Sequence, residues 1–244
     1  EYHGAGFHGW QRQNDTVTVQ GILEDAAIEL TGQPIEIHGA GRTDAGVHAL
    51  AQVAHVDLPD TLNAKAVRDG LTYYAQIKGH PVSVIKAEAV PPDFHARFHA
   101  IMRHYRYVIR NRISVPVIGA DLVWHVRKPL NEKLMQEAAR HLIGEHDFTS
   151  FRTVDCQAHS PVRTLSRFDI SRQGDDIIAE ISAPSFLHHQ VRNFMGTMRK
   201  VGLGEWSPAY VKEILEARDR REAGMNAPPE GLFLTRVDYP EAGS

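Results

Sequence analysis

Ten consecutive residues set the terms on which this chain can fold: Gly39-Ala40-Gly41-Arg42-Thr43-Asp44-Ala45-Gly46-Val47-His48. Three glycines allow tight turning and close backbone approach, and they surround two charged side chains one position apart. Before this stretch Ile35 to His38 reads as a short strand, and after it Gln52 to Leu58 reads as a mostly apolar strand. The fold must therefore bring two extended segments together around a loop that displays Arg42 and Asp44. Gly39-x-Gly41 after a strand resembles the start of a dinucleotide fingerprint. However, Asp44 stands where the third glycine belongs, and a carboxylate aimed at a pyrophosphate would repel it. Arg42 and Asp44 then either tie the turn together or carry chemistry.

Composition narrows the class. With 244 residues, 42% apolar and 23% charged, the chain can bury a core as one large domain or two modest ones. No run of about 18 apolar residues occurs, so no membrane span is expected. The single cysteine, Cys156, forms neither an internal disulfide nor a zinc ribbon, which points to a reducing compartment. The opening Glu1-Tyr2-His3-Gly4 lacks the basic and apolar stretches of a secretory signal, and a cytoplasmic protein is expected.

Along the chain, strands and helices mix without strict βαβ alternation or short repeats. Val19, Ile22, Leu23, Ala26 and Leu30 recur at helical spacing, with Thr18 as N-cap and Gly32 as stop. A second helix is predicted over Ala64 to Tyr73, and Val82 to Val90 is extended up to Pro91-Pro92. From Arg103 the pattern alternates, Tyr105, Tyr107 and Ile109 on one face and His104, Arg106 and Arg110 on the other. A helix from Asn131 carries Leu134, Met135, Ala138, Leu142 and Ile143 inward and stops at Gly144. Thr164 to Ser171 and Asp176 to Ser182 pair around Gln173-Gly174-Asp175. Val191, Phe194, Met195 and Met198 mark a helix, Ser207-Pro208 opens the next, and Leu232 to Val237 closes as a strand. This pattern predicts an α+β fold of two lobes, 1–98 and 99–244, with a mostly antiparallel sheet flanked by helices and the site in the cleft between lobes.

The net charge of -3 argues mildly against a nucleic-acid partner, but its distribution argues for one. His95 to Ala120 holds five arginines (Arg97, Arg103, Arg106, Arg110, Arg112), three histidines and no acid. A second cationic stretch runs from His188 to Lys200. Either these are solvated faces or they bind phosphate. His95 and His99, and His188 beside His189, invite a metal reading, but no carboxylate or thiolate set accompanies them at ligand spacing. No metal is expected, and His95 and His188 read as phosphate or structural contacts.

The residues Tyr2-x-Gly4, Gly9-Trp10-Gln11, Gln20 and Gly41-Arg42-Thr43-Asp44-Ala45-Gly46-Val47-His48-Ala49 closely resemble the tRNA pseudouridine synthase A family. Further matches run in order through Asp93 to Phe98, Tyr105-Arg106-Tyr107, Asp147 to Phe151, His188 to Asn193 and Glu230-Gly231-Leu232. His3 stands where the family usually has aspartate, and Ala51 where glycine is common. The resemblance also implies that the first strand begins several residues upstream of Glu1.

The resemblance implies isomerisation of uridine to pseudouridine in the anticodon stem-loop, at tRNA positions 38 to 40, by a cytoplasmic homodimer without cofactor. It makes Asp44 the catalytic aspartate, Arg192 its ion-pair partner, Arg42 the residue that enters the space of the flipped nucleotide, and Tyr105 the ring stacked on the target uracil. Leu232 corresponds to an apolar residue beside the uracil, and Tyr107 is the alternative to Tyr105 one pleat along. The residues allow such chemistry: a carboxylate serves as nucleophile at a sugar carbon, and no second carboxylate in the loop activates water. His95, Arg97, Arg103, Arg106, Arg110 and His188 complete the expected substrate surface. A tRNA-binding or chaperone protein without chemistry is the alternative, and a hydrolase using Asp44 lacks its acid partner.

Overall fold

A computed structural model describes residues 1–153, 156 and 158–240. The chain forms two compact units, one of residues 1–101 with the segment from Leu234 onward, the other Met102–Phe233. The division read from the sequence put all of 99–244 in one lobe; here the last strand carries the chain back into the first unit. The fold is α+β, with helices beside mixed and antiparallel strands.

In the first unit, α1 (Val19–Thr31) begins where Thr18 Oγ1 accepts from the Gly21 amide and ends at Gly32 in the left-handed conformation. Its apolar stripe buries Val19, Leu23, Ala26 and Ala27. Gln20 and Glu24, both buried on this helix, satisfy the backbone of Ile37: Gln20 Nε2 donates to the Ile37 carbonyl at 2.9 Å, and the Ile37 amide donates to Glu24 Oε1 at 3.2 Å. The helix thus holds the start of β1 (His38–Gly39). After β2 (His48–Ala49), β3 (Ala54–His55) pairs antiparallel with β1 in the register His38 with His55. Both flanking strands are shorter than the sequence predicts, pairing only over His38–Gly39 and Ala54–His55. α2 (Ala64–Ile77) packs on α1 and continues four residues past Tyr73.

The second unit is built on β4 (Met102–Asn111). β5 (Trp124–Val126) pairs parallel with its end. α3 (Glu132–Arg140) follows its cap Asn131 and stops before Gly144, with Met135 and Ala138 buried, Leu134 half-buried and Ile143 exposed beyond it. β6 (Gly144–Asp147) and β7 (Val162–Leu165) form a separate pair, so Thr164 and Leu165 leave the predicted hairpin. That hairpin is β8 (Arg167–Gln173) and β9 (Asp176–Ala183), joined by Gly174-Asp175, and β9 runs antiparallel to β4 along its length. α4 (Gln190–Gly202) buries Phe194, Met195 and Met198, with the Phe194 ring against those of Phe148, Phe151 and Phe168. α5 (Tyr210–Ala217) starts after Ala209, later than Ser207-Pro208 suggests, although Ser207 Oγ does accept from the Tyr210 amide at 3.2 Å. β10 (Leu232–Asp238) then crosses into the first unit, where the Leu234 carbonyl accepts from Leu50 and Ala51 and the Asp238 carbonyl from Ile101. Among the described residues, no helix is long and apolar enough to cross a membrane.

Candidate active site

The glycine-rich loop is held from behind by the first ten residues. Tyr2 bridges to Ala49 and Val82, and its buried hydroxyl shares a 2.8 Å hydrogen bond with Thr43 Oγ1. The Trp10 amide donates to the Thr43 carbonyl at 3.0 Å, and the Gly46 amide to Phe7 at 3.3 Å. Gly9 has φ +86, and a Cβ there would stand 2.6 Å from the Thr43 carbonyl oxygen, so only glycine lets these backbones meet. On the other side, Gln52 Nε2 donates to the Gly41 carbonyl at 2.8 Å. The Val47 amide closes a turn onto the Asp44 carbonyl at 3.1 Å. The result buries Thr43, half-buries Asp44 and exposes Arg42. A loop fixed on its buried face and presenting Arg42 and Asp44 on the other has the preorganisation that nucleophilic chemistry requires.

Burial pushes the Tyr2 phenol up to about 12, more than its Thr43 and Gln52 partners pull it down. Tyr2 is therefore a neutral hydrogen-bonding strut at any physiological pH. Tyr2 is among the residues that carry the family resemblance, whereas nothing in the sequence singles out Gln52. Its only trace there is one amide side chain among apolar residues just after a glycine loop.

His95 and Arg97 belong to the same unit as the loop. His95 is half-buried, its Nδ1 accepting from the Arg97 amide at 3.1 Å, and the exposed Arg97 guanidinium lies 5.6 Å from the Phe98 ring centre.

The other predicted residues lie in the second unit. Tyr105 is half-buried on β4 with its ring edge-on to Phe186 at 5.1 Å. Tyr107 is fully buried, donates to the Pro228 carbonyl at 2.7 Å and packs edge-on against Trp124. Burial also holds its phenol well above the usual range. Of the two tyrosines in this register, only Tyr105 has an accessible ring. Arg192, on the first turn of α4, donates through Nε to the Ala227 carbonyl at 2.7 Å, while its own carbonyl accepts from the Ala227 amide. Leu232 is buried at the start of β10. His188 is exposed with its ring 4.0 Å from that of His189 and tilted by 41°, and His189 takes φ +63 just ahead of α4.

The arginine face of β4 is partly neutralised by β9. Arg110 makes a bidentate pair with Asp176, whose second bond is 3.1 Å, and Arg106 lies 3.7 Å from Glu180. Arg112 reaches Asp175 at 3.3 Å, and Arg103 donates to the Pro184 carbonyl at 2.7 Å. These acids sit on β9 and in the turn that leads into it, whose register with β4 the sequence does not reveal, so the run of arginines reads as more cationic than its surroundings allow.

The model of the family described as tRNA pseudouridine synthase matches residues 1–99 and 138–240. The chain is 48% identical over 239 residues to tRNA pseudouridine synthase A of Bartonella quintana (strain Toulouse), covering 98% of this chain and 97% of that protein. It is 50% identical to the protein of the same name from Methylobacterium sp. (strain 4-46), covering 100% and 96%. For Paramagnetospirillum magneticum (strain ATCC 700264 / AMB-1) the identity is 51%, covering 100% and 94%. Matched from its glycine loop to its last strand, the chain belongs to the tRNA pseudouridine synthase family.

Proposed function

We propose that the chain converts uridine to pseudouridine at positions 38 to 40 of the tRNA anticodon stem-loop, with Asp44 as the catalytic carboxylate. Family membership supplies the coarser part, isomerisation of uridine in tRNA. The positions come from the family resemblance, and the observation that supports Asp44 in this role is the loop itself, braced by Tyr2, Gly9, Trp10 and Gln52 so that Asp44 sits on a fixed backbone. In the reaction the N1–C1′ bond breaks, the uracil turns within the site, C5 bonds to C1′, and the C5 proton leaves while N1 gains one. The change is redox-neutral and consumes no water. Asp44 stabilises or captures the electron-poor C1′ between the two bonds. Arg42, exposed one residue from the buried Thr43, occupies the position of the extruded base. Tyr105 offers the uracil a ring face and is the base that takes the C5 proton. Arg192 is the cation that keeps Asp44 ionised, and Leu232 supplies apolar packing. A homodimer in the cytoplasm follows from the same resemblance, and sedimentation of the purified protein tests the dimer.

Asp44→Asn keeps the shape of the side chain and removes its nucleophilicity. Single-turnover conversion of a tRNA transcript is expected to fall by about three orders of magnitude or more, with affinity unchanged within about threefold. Residual activity within about tenfold of the parent overturns the assignment. Mapping pseudouridine in tRNA from cells with and without the protein tests the three positions.

A further inference from the structure

The first unit carries a cluster of rings that the catalytic reading leaves unused. His38 and His55, cross-strand partners in the β1–β3 pair that closes the glycine loop, stack at 4.9 Å with 23° between planes. His95 lies 4.4 Å from His55 and 5.9 Å from His38, and Phe98 lies 4.3 Å from His95. Phe98 is 72% exposed, an unusual state for a phenylalanine, and the Arg97 guanidinium sits 5.6 Å from its ring centre. Ile101, 52% exposed, follows three residues on.

Backbone amides fix the tautomer of His55, His95 and His99. His55 Nδ1 accepts from Ala96 at 3.1 Å, His95 Nδ1 from Arg97 at 3.1 Å and Phe98 at 3.4 Å, and His99 Nδ1 from His95 at 3.3 Å. An Nδ1 that accepts a hydrogen bond leaves the ring proton on Nε2. His95 and His99 therefore offer Nε2–H donors rather than lone pairs, whereas the His55 ring is already hydrogen-bonded to the His38 backbone. Such a set is unsuited to a metal ion, which needs the lone pair, and suited to an acceptor anion. A phosphate oxygen satisfies these donors, and an exposed phenylalanine flanked by a guanidinium suits a nucleobase. Both ligand groups recur along one RNA strand.

We propose that the cluster of His38, His55, His95 and Phe98 forms a strand-binding subsite for the RNA that flanks the reacting nucleotide, with His95 donating to phosphate and Phe98 stacking on a base. The proposal rests on the tRNA reading above and adds a site to it. β1 and β3 join the cluster directly to the ends of the loop that bears Arg42 and Asp44, three residues separating His38 from Arg42. The charged groups around the rings are Glu36, 3.7 Å from His38 Nδ1, Asp57 near His55, Arg97 and His99. Burial first, then the neighbouring His95 and His38, hold the His55 imidazole below the usual histidine range. A bound phosphate opposes that shift, so binding takes up protons and affinity rises as pH falls.

The test measures the affinity of an unmodified tRNA transcript for the whole chain between pH 6 and 8 and at several salt concentrations. Phe98→Ala is expected to weaken binding roughly tenfold or more with an unchanged salt slope, because stacking releases no counterions. Phe98→Trp keeps a stacking face and is expected to bind within about threefold of the parent. His38→Ala is expected to flatten the gain in affinity on acidification. Melting temperatures of all three stay near the parent's, since Phe98 and His38 are on the surface. Parent-like binding by Phe98→Ala, equal losses in the alanine and tryptophan variants, or an affinity independent of pH overturns the proposal. So does an altered sedimentation coefficient with RNA affinity intact, which assigns the ring cluster to a protein contact. Asp44→Asn assayed alongside separates the two readings: its turnover bears on the carboxylate alone, and binding by Phe98→Ala on the ring cluster alone.

Discussion

The Gln52 side chain donates to Gly41 while its Oε1 is buried without a partner among the described residues. Tyr2 and Thr43 complete the same bracket. A residue in this position works through the loop, and its loss is read in rate rather than in affinity. Gln52→Leu is expected to slow single-turnover conversion roughly tenfold and leave tRNA binding within about twofold. Tyr2 gives the bracket an alkaline limit. A phenol whose pKa rises from 10.0 to about 12 on folding adds stability that is complete below pH 10 and is lost as pH climbs through 12. Two units correspond to at most about 2.7 kcal/mol. Tyrosinate absorbance followed with circular dichroism should show one phenol ionising together with loss of structure, and Tyr2→Phe should remove that step. Arg42 and Asp44 were legible from their spacing among glycines. The bracket was not, because its members come from residues 2, 43 and 52 and only the fold joins them.

α4 is held backbone to backbone against a neighbouring segment. A Cβ on Gly196 would stand 1.7 Å from the Met225 carbonyl oxygen, so the helix and the 223–226 segment touch backbone to backbone. The Gly224 amide donates to Thr197 Oγ1 at 3.0 Å across the same contact. Gly196→Ala must push the two apart, and is expected to cost about 3 kcal/mol, lowering the melting temperature by roughly 6–12 °C. Because Arg192 is tied to Ala227 just beyond, catalysis should fall further than the loss of folded protein explains. The helices at this scale were readable where a cap or stripe is local: Thr18 and Gly32 bound α1, and Phe194, Met195 and Met198 mark α4. The strands beside the glycine loop were not. Ile35 to His38 and Gln52 to Leu58 have the composition of strands, yet only His38–Gly39 and Ala54–His55 pair. Strand length depends on a partner's position, which composition does not encode.

Across the whole chain, a net charge of -3 coexists with an RNA substrate, and the cross-strand acids explain how. Part of the arginine run serves the protein itself. Arg110→Gln, which loses the partly buried pair with Asp176, is expected to cost about 1 kcal/mol of stability and leave the salt dependence of tRNA binding as it is. Arg103→Gln, which removes the guanidinium that donates to the Pro184 carbonyl, is expected to flatten the log-log salt slope by about one unit for each phosphate left without its cation. Arg42→Ala should lower the single-turnover rate at saturating tRNA with a nearly unchanged slope. Equal profiles from all three variants would refute this division of labour. The fold class was legible at this scale because helical and alternating periods are interspersed along the chain. The return of the last strand to the first unit was not, since nothing within Leu232 to Asp238 names Leu50 and Ala51 as its neighbours.

That return has a consequence for how the protein is made. The Leu234 carbonyl receives the Leu50 and Ala51 amides, and the Tyr239 hydroxyl donates to Ala96 at 2.6 Å. A ribosome that has delivered the glycine loop must therefore synthesise β4 to β9 and the helices among them before the strand that supports Leu50 exists. The unit bearing Asp44 is begun first and finished last. A chain cut short anywhere in Met102–Phe233 carries every residue of the loop and lacks the Leu234 carbonyl that receives the Leu50 and Ala51 amides.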